Sequence, residues 1–332
     1  MSISVIIPTQ NRCILLEKTL ESIYRQTLDK SLFEVIVVDN GSIDSTKKIT
    51  ESYQSKLNLI YLYEDEPGLH VGRHAGLRES HYENLVYIDD DIEAFPEWLE
   101  TIYTTFENDE SVVLIGGKNL PNYEISPPFW ILEMWNNTNE HGHVLSELSI
   151  LDYGEFEKEI SPYFIFGCNF SIRKKILLES GGFHPDGMPF ELIKFRGDGE
   201  TYVSQYVLNN GFKAFYHPKA SVYHWVSKER MTEEYFCKRK YIQGISDAYT
   251  NLRINDLNFT KKTNFLSQIK SFLKIILGFE QLRVLNEITY NMNLSDFQKK
   301  LNQSYNNGYN YLKKCYERDD RIKKWVHKNN YF

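Results

Sequence analysis

The sequence predicts an α/β protein with a largely parallel sheet and a helical C-terminal extension. Three observations carry this. Short β-branched runs alternate with helical periodicity from residue 4 to residue 117, the pattern of right-handed βαβ crossovers. One of those runs, Val86-Tyr87-Ile88, delivers Asp89-Asp90-Asp91, and such sheets bind ligands at the carboxyl ends of their strands. From Thr232 onward helical patterns dominate.

Ser4–Pro8 reads as a first buried strand, stopped by proline. Residues 14–26 carry Leu15, Leu16, Thr19, Leu20 and Ile23 at helical spacing. Phe33–Asp39 is a second strand and Asn40-Gly41-Ser42 a turn. Asp44 or Ser45 caps a helix beginning near Thr46. Leu59–Tyr63 is a third strand, followed by a helix near Gly72–Ser80 and the strand before the acidic triplet. Pro96 opens the next helix in its first turn, and Val112–Gly117 is another strand. Residues 120–160 are expected to be irregular, with Trp130 and Trp135 facing substrate. A strand over 164–172, a helix over 173–180 ended by Gly181-Gly182, and short strands at 214–216 and 221–224 follow.

With 332 residues, 42% of them hydrophobic, the chain can bury a sizeable core. The expected division is a domain over 1–227, with halves at 1–117 and 118–227, and an extension over 228–332. The first residues enter a strand with no basic region or cleavage site, so no signal peptide is expected. Cys13, Cys168, Cys237 and Cys315 lie far apart without zinc spacing and read as reduced thiols of a cytosolic protein. The net charge of −7 hides an asymmetry: residues 1–227 balance at −16 and residues 228–332 at +9. A basic extension invites an anionic partner such as a membrane surface, against the plainer reading of a solvated helix face.

Three adjacent carboxylates at a strand end are costly unless a cation or hydrogen-bond donors offset them. Hard divalent cations prefer such oxygens and also hold phosphate, so a metal–diphosphate site is one reading. A solvated acidic turn is the other.

Five segments in register resemble family 2 glycosyltransferases across residues 3–226. They are Val5–Arg12, Val35–Ser42, Glu66–Arg73, Asp89–Asp91, and Gly167–Arg173 with Gly181-Gly182-Phe183. The resemblance implies a GT-A fold, a Rossmann-like half that binds the nucleotide-sugar donor joined to an acceptor-binding half. It also implies inverting transfer of a sugar, with Mn2+ or Mg2+, to a glycan or lipid-linked glycan hydroxyl in bacterial surface polysaccharide synthesis.

Carried onto this chain, the resemblance gives Pro8, Thr9, Asn11, Arg12, Asp39, Gly72, Arg73, Asp89 and Asp90 to the donor. Asp39 would meet the base or ribose, although Asp before Asn-Gly is also a turn former. Arg73 would face the diphosphate, and Gly72 and Gly76 would allow close backbone approach. Asp91 and His224 fall to the metal, against the default of a core histidine. Family members carry Glu-Asp about a dozen residues before a Gly-containing turn. Here the segment is Arg196-Gly197-Asp198-Gly199-Glu200, which makes Glu200 the first candidate base and Asp198 the second, each with a helix-cap reading beside it. His74 replaces the family's usual asparagine.

A UDP-sugar is the favoured donor, and no nucleic acid is expected as a partner. Localisation is expected in the cytoplasm, with contact at the inner face of the plasma membrane through the basic extension. Residues 265–285 are too interrupted by charge to span a membrane. A degenerate sugar-nucleotide-binding protein is the alternative, and a nucleotidyltransferase ranks below it because Pro8–Arg12 lacks a Gly-rich phosphate loop. A processive synthase would carry transmembrane spans and a QxxRW-type motif after the domain. Sugar, linkage and oligomeric state are not legible.

Overall fold

A computed structural model describes residues 2–138, 142–184, 199–260 and 295–332, with side chains of 254–260 excluded. Among these the chain forms two compact units, one of residues 1–232 with 329–332 and one of residues 233–328.

The first unit opens with β1 (Ile3–Thr9), α1 (Cys13–Tyr24), β2 (Phe33–Asp39), α2 (Thr46–Tyr53), β3 (Leu59–Tyr63), α3 (Leu69–Glu79) and β4 (Asn84–Ile88). Strands β4, β1, β2 and β3 lie side by side and parallel. Val5 and Ile7 of β1 pack with Leu16 and Leu20 of α1, while Ile6 packs with Ala75 and Leu77 of α3. Both faces are covered, which is why these strands read as continuous apolar runs. The β1–β4 register ends at Ile6–Tyr87, so Pro8 lies past that ladder and its missing N–H costs nothing there.

Then come β5 (Ile92–Ala94), α4 (Trp98–Asn108), β6 (Val112–Gly116), β7 (Asn119–Tyr123), α5 (Phe129–Asn136), β8 (His143–Leu145), β9 (Ile150–Asp152), β10 (Lys158–Ile160), β11 (Asn169–Arg173) and α6 (Lys174–Glu179). After the undescribed 185–198 come α7 (Thr201–Asn209), β12 (Lys213–Tyr216) and β13 (Val222–Val226). The main sheet has the order β10-β12-β6-β11-β4-β1-β2-β3. It is less parallel than expected, because β11 runs antiparallel to both β4 and β6. That insertion sets Asn169 opposite Ile88, the last strand residue before the acidic triplet.

Residues 120–160 are also more regular than expected. They supply most of a second sheet, β5-β13-β7-β9-β8, whose three-residue strands are too short to show a period in sequence. Helix α3 starts at Leu69, earlier than its apolar spacing suggests, because Gly68 turns the chain at φ 139°. Pro96 lies before α4, which begins at Trp98.

The N-cap of α2 is Ser45, which makes no side-chain cap bond; the residue before it, Asp44, accepts from Thr46 N through Oδ1 at 3.0 Å. Its Oδ2 accepts from Cys13 N at 3.1 Å, so one carboxylate serves the starts of α1 and α2. Burial opposes its charge, but the bonds from Thr46 and Cys13 outweigh this and hold its pKa down to about 2. Asp44→Ala is expected to cost about 1 kcal/mol by chemical denaturation. A depressed folded pKa stabilises above the ordinary value of 3.8, so the difference from wild type should vanish as pH falls from there through about 2.

The second unit holds α8 (Glu233–Thr260), α9 (Asp296–Arg318) and α10 (Asp320–Val326). Helices α8 and α9 touch backbone to backbone at two glycines: a Cβ on Gly244 would sit 2.1 Å from Tyr305 O, and one on Gly308 1.9 Å from Tyr241 O. Arg253 of α8 donates to the carbonyls of Val326 (2.5 Å) and Lys328 (2.8 Å), a cation at the end of α10. The apolar stretch at 265–285 lies outside the described residues. No helix among the described residues is long and apolar enough to cross a membrane.

Candidate active site

The candidate residues gather at the carboxyl ends of β1, β2 and β4. Asp90 is buried and accepts from Thr9 Oγ1 at 2.6 Å, and Arg12 Nη1 donates to its other oxygen at 2.6 Å. Arg12 Nη2 donates to Asp91 Oδ2, also at 2.6 Å. One guanidinium thus bridges two carboxylates while its own side chain stays 40% exposed. Burial pushes Asp90 up to about 7 against the pull of Arg12. Burial also acts to raise Asp91, but His224 and Arg12 outweigh it and its pKa lies below the ordinary carboxylate value.

Asp89, Asp91 and His224 offer ligand atoms that all lie within 4.8 Å of one another. His224 comes from β13, where antiparallel pairing with Ile92 sets it beside the triplet. Its Nε2 faces Asp91 Oδ1 at 3.5 Å, and that oxygen is buried with no hydrogen-bond partner among the described residues. Burial lowers the imidazole's pKa against the pull of Asp91, and the neutral ring is the form that ligates. Two carboxylates and one imidazole suit a divalent cation such as Mn2+, and the unpartnered oxygen fits a ligand atom awaiting one.

Arg73 is 2% exposed and turns into the protein. It hydrogen-bonds Glu200 Oε1, Asp89 Oδ1 (3.3 Å) and Gly167 O (3.1 Å). It thus joins two carboxylates from distant parts of the chain. Gly167 makes room for this, since a Cβ there would lie 1.8 Å from Glu200 Oε1 and 2.6 Å from Arg73 Nη2. Glu200 stands at the N-cap of α7 but makes no side-chain cap bond. Asp198 lies outside the described residues.

The remaining expected residues hold the loops around this cluster. Asp39 is buried, with Oδ1 accepting from Ser42 N (2.8 Å) and Oδ2 from Tyr61 Oη (2.8 Å). Asn11, at φ 54°, accepts from Ile43 N at 2.8 Å and donates its own N–H to Ser42 Oγ, lacing the loops after β1 and β2. The close approach that Gly72 permits is to β1: a Cβ there would lie 3.2 Å from Pro8 Cβ. His74 accepts from Phe183 N at 2.9 Å.

Sequence reasoning passed over Arg230, whose Nη1 lies 3.3 Å from His224 Nε2 and 3.9 Å from Asp91 Oδ2. Its only signal was a Lys/Arg pair, Lys228 and Arg230, just after the His224 strand. Tyr61 left no signal beyond a tyrosine in an edge strand.

A family model described as "Glycosyl transferase family 2" matches residues 4–181, more than half of the chain. Validoxylamine A glucosyltransferase of Streptomyces hygroscopicus subsp. jinggangensis is 35% identical over 102 residues, 30% of this chain and 24% of that relative. The chain therefore spans about a quarter of that relative's length. The glucosyl-dolichyl phosphate glucuronosyltransferase of Haloferax volcanii is 22% identical over 86% of this chain and 88% of its own. The mannosyltransferase of Pyrobaculum calidifontis, solved with GDP-Man and Mn2+, aligns at TM-score 0.56 and 16% identity, over 99% of this chain and 84% of that one. S. aureus TarS, solved with UDP-GlcNAc, aligns at TM-score 0.50 and 20% identity, over 74% and 66%. At these identities the structures speak for the GT-A fold alone. With the mixed sheet, the strand-end carboxylates and the family match together, the chain belongs to glycosyl transferase family 2.

Proposed function

We propose that the protein is a metal-dependent inverting glycosyltransferase. It moves a sugar from a nucleoside-diphosphate donor, a UDP-sugar first, to a hydroxyl of a glycan or lipid-linked glycan in surface polysaccharide synthesis. The observation that carries this reading is the convergence of Asp89, Asp91 and His224 beside a Glu200 held by Arg73. UDP-GlcNAc in TarS and GDP-Man with Mn2+ in the mannosyltransferase support a nucleotide-sugar donor, and the dolichyl phosphate in the Haloferax relative's name supports a lipid-linked acceptor.

In this reading Thr9, Asn11, Arg12 and Asp39 shape the nucleotide site, and Asp89 and Asp90 face the donor. Asp91 and His224, with Asp89 beside them, hold Mn2+ or Mg2+. When bound, the ion offsets the charge of the departing diphosphate. Arg230, 3.9 Å from Asp91 Oδ2, would add a guanidinium for the same phosphates. Glu200 takes the proton of the acceptor hydroxyl as that oxygen attacks the anomeric carbon. Arg73 engages Oε1, and Oε2 is the oxygen that accepts. Work at the cytoplasmic face of the membrane, with the basic 228–332 region against anionic lipid, belongs to the same proposal.

The test is nucleoside-diphosphate release from UDP-, GDP- and dTDP-sugars with Mn2+, Mg2+ or EDTA. Turnover of one donor, falling to background with EDTA and in Asp91→Ala, is the expected result. No release from any donor, with nucleotide binding retained, would sink the transferase reading in favour of a binding protein.

A further inference from the structure

The segment that presents Glu200 rests on His184, and the 181–184 stretch is held in turn by His74 and by residues 329–332. His184 N donates to Gly199 O at 3.2 Å, joining the described residues on either side of 185–198. The fully buried His184 ring stacks on Tyr202, in the first turn of α7, with centroids 3.8 Å apart. Beside it, Phe183 N donates to His74 Nε2, and His74 lies on the same helix as Arg73.

Residues 329–332 close this arrangement from outside. Tyr331 N donates to Gly181 O at 3.1 Å. The buried Tyr331 ring lies 4.5 Å from His184, and the Phe332 ring lies 5.9 Å from His74. Gly181 and Gly182, at φ 85° and 83°, form the seat. A Cβ on Gly181 would fall 2.1 Å from Asn329 O, and one on Gly182 would fall 2.7 Å from His74 Nε2 and 2.9 Å from Phe332 Cδ1. No side chain fits between the strap and the loop.

We propose that Tyr331 and Phe332 are positioning residues for Glu200. They act through His184 and Tyr202 on one side and through His74 on the other. The strap fixes where α7 begins, and so where the Glu200 carboxylate meets Arg73. A base displaced by about 1 Å can lose two orders of magnitude in rate, so this bracing bears on turnover as well as on folding. The proposal rests on the reading of Glu200 as the base.

The experiment uses the full chain as wild type, Tyr331→Ala, Phe332→Ala and Tyr331→Phe. Amide hydrogen exchange is read without ligand, alongside kcat, donor KM and Mn2+-dependent nucleoside-diphosphate affinity. Tyr331→Ala should speed exchange at Ser204 N, which donates to Glu200 O at 2.9 Å. It should lower kcat about 10- to 100-fold with nucleotide affinity within about twofold of wild type. Phe332→Ala should follow in the same direction, and Tyr331→Phe, which keeps the ring, should restore both readouts. Unchanged exchange and kcat in both alanine variants overturns the proposal. So does a parallel fall in kcat and nucleotide affinity, the mark of a general loss of fold. If the wild type transfers no sugar while exchange still rises in Tyr331→Ala, the clamp stands and the catalytic role drawn from it falls with the transferase reading.

Discussion

Glu200→Gln is expected to lower acceptor-dependent transfer by about 10²- to 10⁴-fold, the range a positioned general base contributes. Glutamine keeps the length and an oxygen for Arg73, but its amide cannot take up the acceptor proton. Nucleotide affinity should hold, because Thr9, Arg12, Asp90 and Asp91 are joined to one another and not to Glu200. Breaking a buried ion pair commonly costs about 3–5 kcal/mol, and here the loss should be smaller. Arg73 keeps Asp89 at 3.3 Å and Gly167 O at 3.1 Å. A thermal melt separates the two effects: lost transfer with a near-native Tm supports the role, and transfer at the wild-type rate refutes it.

Gly167→Ala should be almost as damaging, although the residue carries no chemistry. The added methyl would land 1.8 Å from Glu200 Oε1 and 2.6 Å from Arg73 Nη2, so the ion pair must separate. The expected result is a fall in kcat of about 10²-fold, since displacement of a reacting group by about 1 Å has that effect. Donor KM should change little. A Gly167→Ala enzyme turning over like wild type would mean that the Arg73–Glu200 pair does not set the rate.

These two positions show where the sequence was legible. Phe33–Asp39 and Leu59–Tyr63 are strands over the residues expected, because buried parallel strands leave unbroken apolar runs ended by turn residues. The acidic triplet stood out as three adjacent carboxylates, and His224 by its resemblance to a late strand of the family; the fold brings Asp89, Asp91 and His224 within 4.8 Å of one another. Arg73 shows the opposite case. Its bond to Glu200 spans 127 residues, a distance at which local pattern carries no information. The β8 and β9 strands were too short to announce themselves, and Gly167 read as one residue of a strand over 164–172, which begins instead at Asn169, because a steric need has no signature in one sequence. Nothing in Asn329-Asn330-Tyr331-Phe332 distinguished a strap from a tail.

The return of those four residues to the first unit makes the helical unit an insert, with Thr232 and Asn329 as its two junctions. Shortening the protein after Thr232 would therefore not yield a minimal enzyme; it would remove a piece of the fold that carries the carboxylates. A chimera that exchanges the helical unit with a relative needs two crossovers, and one that uses a single crossover would pair a foreign strap with a native Gly181-Gly182 seat. Within this architecture, the helical unit and the strap residues should be inherited as separate modules despite being neighbours in the chain.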